Sequence, residues 1–419
     1  MGILLNRFRE IVAKDKDPRM KSEGEFDVLY STGFPCFDFI NGCKIRVNDK
    51  KNGKKFSYYS LGVTDGSGCM LIGRSGCGKT TFAVQMAANI VRPFPEGQIF
   101  HDDIEGGITE VRKQILTRWT PEQIKEKYRY RNTGVTAENF YQTLSLIKDI
   151  KLENYKDLLY DTGKFDNFGN PIYKLVPTVY ILDSIALLMP EKFSDEEELS
   201  GSMSATAGAK TNSMLFKRVI PMLKAANIIL ITINHITDAI DINPMQRKKA
   251  AVSYLKQGEA IGGGKAVTYL TNLMLRFDDN TKLKEGEGLG IPGSLVDIGI
   301  VKSRSGKAGS SCTLVFNQDT GFDSDLSLFV LLKNHKRING AGAYLYIGDH
   351  SDKKFRQSEL KEKLATDPEF AKIFMDEALS VLKPMVNDTP DFLDDINAIN
   401  STSISDRLNQ SIGEMIVDE

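Results

Sequence analysis

The chain has 419 residues, of which 41% are hydrophobic, and a formal net charge of -1. This length exceeds that of a typical single domain, and the hydrophobic content suffices for one large core with smaller appendages. The near-zero charge does not exclude nucleic-acid binding, because Arg247-Lys248-Lys249 form a basic cluster whereas the C-terminal residues are rich in acid.

The cysteines and the apolar runs argue against several classes of protein. The five cysteines are scattered, without CxxC or Cys/His ligand spacing, and are read as reduced thiols rather than a disulfide framework or a zinc site. Charged residues interrupt the N-terminal apolar stretch, and no run approaches the ~20 residues of a membrane-spanning helix. We therefore expect a cytoplasmic protein with no membrane partner.

At the N-terminus, Leu4, Phe8, Ile11 and Val12 recur at helical spacing before Pro18 breaks the pattern. A short helix cannot bury an apolar stripe alone, so this one packs either on its own core or on a neighbouring subunit. Residues 44–57 follow, and they read as an exposed basic turn between two short strands. Such a turn is more often solvated than functional.

A phosphate-binding motif comes next, in the sequence Gly73-Arg74-Ser75-Gly76-Cys77-Gly78-Lys79-Thr80 followed by Thr81. An apolar run precedes this segment and a helical pattern follows it, which is the setting of a P-loop. Its glycines allow backbone N–H groups and the helix N-terminus to converge on phosphates. Lys79 is expected to reach the β- and γ-phosphates, and Thr80 to bind Mg2+. The segment therefore predicts ATP and Mg2+ as cofactors.

From residue 69 onward, apolar β-rich runs alternate with helical patterns, which predicts an α/β fold whose central sheet is mainly parallel and covered by helices. The predicted strands lie at 70–72, 97–100, 179–182, 228–233 and 273–277, and 296–301 can pair with 311–316 as a hairpin. We divide the chain into an N-terminal oligomerisation segment (1–30), an ATPase core (31–320), a small α+β C-terminal domain (321–386) and an acidic flexible tail (387–419).

Two further carboxylates complete the predicted ATP site. Asp183 ends the apolar strand Val179–Leu182, where an acid is costly to bury unless it serves a cation, so it is the second expected metal ligand. Hydrolysis also needs a group that orients or deprotonates water. Glu105 follows a strand and is a candidate, but residue type alone leaves Asp102 and Asp103 as competitors.

These residues together resemble the RecA family of DNA strand-exchange recombinases. The resemblance covers most of the chain, and its Asn234-His235 and Lys302-Ser303-Arg304 forms are most similar to phage recombinases related to UvsX. The other matching segments are Ser31-Thr32-Gly33, the P-loop, Glu105, Leu182-Asp183-Ser184, Gly262-Gly263-Gly264 and Ala341-Gly342-Ala343-Tyr344. The resemblance implies a RecA-like P-loop ATPase core.

The resemblance also implies roles for individual residues. Glu105 is expected to activate water, and Arg112 to place its planar guanidinium against adenine. Asn234 and His235 are expected beside the γ-phosphate, where they can report hydrolysis to the segment that follows. Lys302 and Arg304 alternate along a strand and are expected to reach a neighbouring subunit's ATP as an arginine finger does. An interface of that kind predicts a helical filament.

Two stretches are expected to bind DNA by the same resemblance. The first, Asp195–Gly208, contains small polar residues such as Ser202 that allow backbone contacts to phosphates. The second, Thr237–Gly264, contains the basic cluster Arg247-Lys248-Lys249 and Lys256, and ends in Gly262, Gly263 and Gly264. Its basic side chains are expected to supply salt-dependent, sequence-independent affinity.

The sequence therefore predicts a DNA-dependent ATPase of homologous recombination, which polymerises on single-stranded DNA and exchanges it with homologous duplex DNA. Mediator and single-strand-binding proteins are possible partners, and the expected location is the cytoplasm of a bacterial or phage-infected bacterial cell. The alternatives are a ring helicase built on the same core and an ATPase switch that does not depend on DNA.

Overall fold

The structure is a computed structural model that describes residues 27–49, 52–167, 169–191, 214–238, 254–262, 268–269, 271–283 and 289–388. Several predicted features lie outside these residues: the N-terminal helix, the stretch 195–208 with Ser202, the cluster Arg247-Lys248-Lys249, the glycines Gly263 and Gly264, and the acidic tail beyond 388.

The described strands are β1 (Leu29–Tyr30), β2 (Cys43–Asp49), β3 (Lys54–Ser60), β4 (Val63–Thr64), β5 (Gly68–Gly73), β6 (Gln98–Asp103), β7 (Tyr128–Arg131), β8 (Leu159–Phe165), β9 (Pro171–Leu175), β10 (Thr178–Asp183), β11 (Ile228–Asp238), β12 (Glu259–Ile261), β13 (Leu273–Leu283), β14 (Gly293–Ser303), β15 (Ser311–Asn317), β16 (Gly321–Asp323), β17 (Ile338–Ala341), β18 (Tyr344–Ile347) and β19 (Asn387–Asp388).

The α-helices with defined bounds are α1 (Pro35–Ile40), α2 (Lys79–Val91), α3 (Glu110–Thr117), α4 (Pro121–Lys127), α5 (Ala137–Glu153), α6 (Tyr155–Leu158), α7 (Ser324–Asn334), α8 (Leu360–Thr366) and α9 (Pro368–Leu382). Residues 214–225 are also helical. Short 3-10 helices occur at Ile185–Leu187, Gln357–Glu359 and Lys383–Met385.

One large sheet organises the molecule. Its strands lie in the order β16-β15-β14-β13-β5-β11-β10-β6-β7, and β12 pairs with the end of β11. The strands from β13 to β7 are parallel to their neighbours, and those from β13 to β16 are antiparallel. The predicted α/β class with a mainly parallel central sheet is therefore confirmed.

The parallel strands form because their residues are apolar on both faces. Every residue of β5 and of β10 is buried, and only the end of β11 becomes exposed. Two hydrophobic clusters cover the two faces, one around α2 and one around α5 and the helix over 214–225. The predicted strands in this region and the hairpin of β14 with β15 are confirmed.

Helix α2 is anchored by aromatic rings. Phe82 is fully buried and stacks on Phe34 with ring centroids 4.9 Å apart, and it makes edge contacts with Phe37, Phe277 and Phe322. These rings come from α1, β13 and β16 or the segments next to them, so the first turn of α2 is fixed against three parts of the core.

Two hairpins lie outside the central sheet. The predicted turn at 44–57 is the ribbon of β2 and β3, whose strands are each seven residues long, and β19 extends it into a small sheet. Strands β8 and β9 form the second hairpin. The two hairpins touch through Phe56 and Phe165, whose rings meet edge to face at 5.5 Å.

The C-terminal elements pack on the core. Helix α7 lies against β15, and Phe329, Phe355 and Phe370 belong to the same hydrophobic cluster as Phe82. The proposed domain boundary at 320–321 stays a prediction. In the described residues, no helix has both the length and the apolar character needed to span a membrane.

We expect Phe82→Ala to lower the free energy of unfolding by roughly 3–5 kcal/mol, because it removes a fully buried ring and leaves a cavity. Urea unfolding followed through Trp119, the only tryptophan in the chain and a buried one, measures the change. Phe82→Leu should lower the free energy of unfolding by less, because the leucine side chain fills part of the cavity. Leu146→Ala is the control, since Leu146 is 57% exposed and its loss should change stability by no more than about 0.5 kcal/mol. Equal urea midpoints for Phe82→Ala and the wild type would contradict this account of the core.

Candidate active site

Polar residues collect where the parallel strands end. Gly73 of β5 lies level with His235 of β11, and Asp183 of β10 lies level with Asp103 of β6. Because parallel strands present their carboxyl ends at one edge, residues distant in sequence meet there. This edge contains most of the residues that the sequence assigns to ATP.

The P-loop connects β5 to α2 in a conformation that requires glycine. Gly76 and Gly78 have φ angles of +81° and +85°, which side chains rarely adopt. A Cβ on Gly73 would lie 2.7 Å from the carbonyl oxygen of Phe277, so β13 also excludes a side chain there. Arg74, Ser75 and Gly76 are exposed at the crest of the loop, whereas Cys77 is buried and Thr80 and Thr81 are half-buried.

Lys79 is held over this loop. Its Nζ donates to the carbonyl oxygens of Gly73 and Arg74 at 3.0 and 2.7 Å, and it lies 3.5 Å from Nδ1 of His235. The side chain is buried, so its charge is weakly screened. A cation in this position can meet an anion that is bound by the N–H groups of the loop.

Thr80 and Asp183 form the predicted metal pair. The hydroxyl of Thr80 donates to Oδ2 of Asp183 at 2.6 Å. The other oxygen, Oδ1, is buried and has no hydrogen-bond partner among the described residues. Burial, aided by the nearby charges of Glu105 and Asp103, raises the pKa of Asp183 to about 7, although the Thr80 hydroxyl opposes the shift.

Such a carboxylate is stabilised in its charged form by a cation. The ligand atoms of Glu105, Asp183 and His235 all lie within 4.8 Å of one another. A hydroxyl and a carboxylate oxygen are ligands that Mg2+ accepts, with water and phosphate oxygens completing its octahedron. The residues at this edge therefore fit the predicted Mg2+.

The structure separates Glu105 from its two competitors. Oε1 of Glu105 lies 2.7 Å from Nε2 of His235, at the exposed side of the cluster. Asp102 is buried, where it pairs with Arg131 and accepts from the hydroxyl of Tyr180. Asp103 accepts hydrogen bonds from two backbone N–H groups and the hydroxyl of Tyr130. Of the three acids, Glu105 alone faces both His235 and Asp183.

His101 is a member of this cluster that the sequence analysis missed. It is buried, its Nδ1 lies 2.7 Å from the hydroxyl of Tyr128, and its ligand atoms are within 4.8 Å of those of Asp103 and Asp183. Burial lowers the pKa of His101 to about 4, so the ring behind the carboxylates is neutral at pH 7. A histidine directly before Asp102-Asp103 in a strand was the available signal.

Asn234 links this edge to the segment that follows β11. Its Oδ1 accepts from the backbone N–H of His235, and its Nδ2 donates to the carbonyl oxygen of Gly262 at 2.9 Å. Strand β12 returns antiparallel to β11, with Asp238 opposite Glu259. The residues that flank the segment 239–258, Asp238 and Glu259, are thus held together beside the P-loop. We call β12 and the end of β11 the loop stem.

A buried ion pair fixes the loop stem to β13. Arg276 forms two hydrogen bonds to the carboxylate of Glu259, at 2.7 and 2.8 Å, and it also pairs with Asp278. The side chains of Arg276 and Glu259 are 9% and 7% exposed. Lys256, a predicted DNA-binding residue, is exposed and pairs with Asp278 at 3.3 Å. Sequence reasoning missed Arg276, although an arginine within an apolar strand was a signal.

An exposed ion pair joins the P-loop to the same stem. Arg74 donates to Oδ1 of Asp238 at 2.6 Å, and this bond raises the pKa of Arg74. Both side chains are more than half exposed, so another anion can easily replace Asp238 as the partner of Arg74.

The remaining predicted residues contact other parts of the chain. Arg112, on α3, donates to the carbonyl oxygen of Asp319 at 2.6 Å. Lys302 lies on β14, whereas Arg304 follows Ser303, the last residue of that strand, so the two do not alternate along one strand as expected. Both nevertheless donate to the carbonyl oxygen of Tyr269, and Lys302 also donates to that of Thr268. Burial and the charge of Arg304 lower the pKa of Lys302. In this chain, these two cations contact the backbone that follows the second predicted DNA-binding stretch.

A scan against protein-family models finds no match, and a search of curated proteins also finds none. The crystal structure of the RadB recombinase is similar to part of this chain. The match covers 62% of this chain and 92% of that one, at 17% identity and a TM-score of 0.38. A likeness at that level does not establish an activity.

We expect Asp183→Asn to remove the Mg2+-dependent part of ATP affinity, by roughly 10- to 100-fold. The amide keeps the size of the side chain but cannot supply the charge that a cation requires. Calorimetric titration with ATP, with and without Mg2+, measures the difference. Asp376→Asn, a matched change on the exposed face of α9, should leave it unchanged. An unaltered Mg2+ dependence in Asp183→Asn would remove this carboxylate from the metal site.

Proposed function

We propose that this protein is an ATP-dependent recombinase of the RecA type. It polymerises on single-stranded DNA, pairs that strand with homologous duplex DNA, and uses hydrolysis to leave the DNA-bound state. The observation that carries the proposal is the hydrogen bond from Asn234 to the carbonyl of Gly262, because it connects the candidate phosphate site to the stem of a long basic segment.

ATP with Mg2+ supplies the phosphoryl group and the charge that neutralises it during transfer. The chain's own residues do the rest. The P-loop N–H groups and Lys79 bind the phosphates, and Thr80 and Asp183 hold the metal. Glu105 accepts a proton from the attacking water, and His235, at hydrogen-bond distance, orients the Glu105 carboxylate.

The same residues can couple hydrolysis to DNA. Asn234 and His235 follow one another on β11, so a shift of His235 toward a terminal phosphate also changes the backbone that Asn234 joins to Gly262. The loop stem then moves as a unit, because Arg276 holds Glu259. We assign Ser202, Gly263, Gly264 and the basic residues of the segment, Lys256 included, to DNA contacts on the basis of the sequence resemblance.

The filament is the remaining part of the proposal. Lys302 and Arg304 bind backbone carbonyls in the single chain, and in a filament they would exchange these for the phosphates of a neighbouring subunit's ATP. Arg112 would lie against adenine. The N-terminal segment 1–30, the core 31–320, the C-terminal domain 321–386 and the tail 387–419 are the proposed units, and mediator and single-strand-binding proteins are the proposed loading partners.

We expect single-stranded DNA to stimulate ATP hydrolysis by the wild type. Lys302→Ala should lose the stimulated rate, by roughly 10³-fold, and still bind DNA, because the cation acts on the neighbour's phosphates. Lys333→Ala, an exposed change on α7, is the control. Steady-state ATPase rates with and without DNA, together with DNA-binding titrations, measure both effects.

Equal ATPase rates with and without DNA would exclude a recombinase and favour an ATPase switch. Processive unwinding of a forked duplex, with rings rather than filaments in electron micrographs, would favour a helicase.

Replacing Arg247, Lys248 and Lys249 by alanine should weaken binding to single-stranded DNA. A plot of log affinity against log salt concentration has a negative slope, and each lost phosphate contact makes that slope less steep by about 0.7. Fluorescence anisotropy with a labelled oligonucleotide at several salt concentrations measures the slope. A control variant with Lys125, Lys156 and Lys372 changed to alanine removes the same charge from other exposed positions. Identical slopes in the two variants would place the DNA-binding stretch elsewhere.

A further inference from the structure

The ribbon of β2 and β3 has two different faces. On one face Val47 is buried, and Phe56 and Tyr58 contact the second hairpin: the ring of Phe56 meets that of Phe165, and the hydroxyl of Tyr58 donates to the Phe165 carbonyl. Because side chains alternate along a strand, the residues between these point the other way. This second face, which we call the basic face, consists of Lys44, Arg46, Asn48, Lys55, Ser57 and Tyr59.

The basic face contains three cations and, within β2 and β3, no acid. Lys44 lies opposite Tyr59, and Arg46 lies opposite Ser57, in the antiparallel register. Asp388 of β19 pairs with Arg46 at 3.0 Å. Lys55, Ser57 and Tyr59 are exposed. The face therefore combines fixed positive charge with small polar side chains.

The surface continues beyond the ribbon. A cleft of about 330 Å³ opens beside it, and its charged lining residues are Lys44, Lys383 at the end of α9, and Asp388. Lys383 is exposed, so the two lysines carry positive charge from the ribbon into the cleft, with Asp388 as the acid between the ribbon and α9.

We propose that the basic face of the ribbon binds the sugar-phosphate backbone of duplex DNA. Alternate residues on a strand are about 6.7 Å apart. That spacing is two steps of a DNA strand, which rises about 3.4 Å per phosphate. Lys44 and Arg46 can thus follow one strand of a duplex, and Lys55 extends the contact from β3.

This face fits duplex rather than single-stranded DNA, because it presents positive charge but no series of aromatic rings on which bases could stack. Sites for single strands use a series of exposed aromatic rings on which bases stack. Here Tyr59 is the single aromatic residue of the face, and its ring packs 6.3 Å from that of Phe39. Backbone contact alone binds without reading sequence, which suits a recombinase that samples duplexes for homology.

This inference rests on the proposed function, but it can fail independently. The test compares the wild type with a variant carrying Lys44→Gln, Arg46→Gln and Lys55→Gln. The matched control carries Lys125→Gln, Lys156→Gln and Lys372→Gln, which removes the same charge from α4, α6 and α9. The probe is a fluorescent duplex of unrelated sequence, titrated against each protein after assembly with a non-hydrolysable ATP analogue on unlabelled single-stranded DNA.

We expect the ribbon variant to bind the duplex at least about tenfold more weakly at ~0.1 M salt. Its plot of log affinity against log salt concentration should be less steep by about 0.9 for each contact removed. Its single-stranded-DNA-stimulated ATPase should equal that of the wild type. The control variant should retain both properties. Lys55→Gln alone should lower duplex affinity several-fold. Because Lys55 is exposed, this single change should not disturb folding, so it tests the inference even if the triple variant misfolds.

Equal duplex affinity in the ribbon and control variants would overturn the inference. So would a loss of filaments with unchanged duplex binding, because the ribbon would then be a subunit contact. If the wild type has no DNA-stimulated ATPase, the proposed function fails, whereas the duplex titration of the unassembled proteins still decides whether the ribbon binds DNA.

Discussion

The arrangement of this molecule depends on the alignment of its parallel strands. Strands β5, β6, β10 and β11 are hydrogen-bonded neighbours, so their carboxyl ends lie at one edge. This brings Thr80 to Asp183, across 103 positions of sequence, and His235 to Glu105, across 130. A one-residue slip in any strand would turn its terminal side chain to the opposite face of the sheet. The buried apolar faces of the strands prevent that slip, so the core itself fixes the geometry of the site.

Charge is buried at this edge in two different ways. Asp183 has one oxygen without a hydrogen-bond partner among the described residues, which is unfavourable unless a cation binds there. Arg276 and Glu259 instead satisfy each other. Buried ion pairs contribute little net stability, but losing one partner costs about 3–5 kcal/mol, so they specify one arrangement strongly. The unpartnered oxygen of Asp183 favours binding of a cation, and the pair of Arg276 with Glu259 fixes the register of the loop stem.

The fold could be predicted from the sequence because it depends on local patterns, and the assignment of the P-loop rests on patterns of the same kind. Apolar runs predicted the strands, and glycine spacing predicted the P-loop. The choice between Glu105 and the two neighbouring acids could not be made locally, since it depends on Arg131 and Tyr180 satisfying Asp102. The role of Arg276 was hidden for the same reason: its partner Glu259 lies 17 positions earlier, on a strand too short to leave a periodic signal. At 44–57 the sequence predicted an exposed turn between two short strands, but not that most of this range belongs to the strands themselves, because an exposed strand with a basic face lacks the apolar alternation that identifies strands.

The two ion pairs of the loop stem differ in strength, so the two sides of the stem differ in how easily they can change partners. Arg74 and Asp238 are exposed, and a pair of that kind is worth about 0–1 kcal/mol, so a phosphate can compete for Arg74 with little penalty. Arg276 and Glu259 are buried, and the same exchange there would leave a charge unpaired. Breaking the ion pair therefore takes little free energy where the stem meets the P-loop, and much more where the stem meets β13. The P-loop side of the stem can therefore change its partner at little free-energy cost, whereas the buried pair keeps the β13 side in one arrangement.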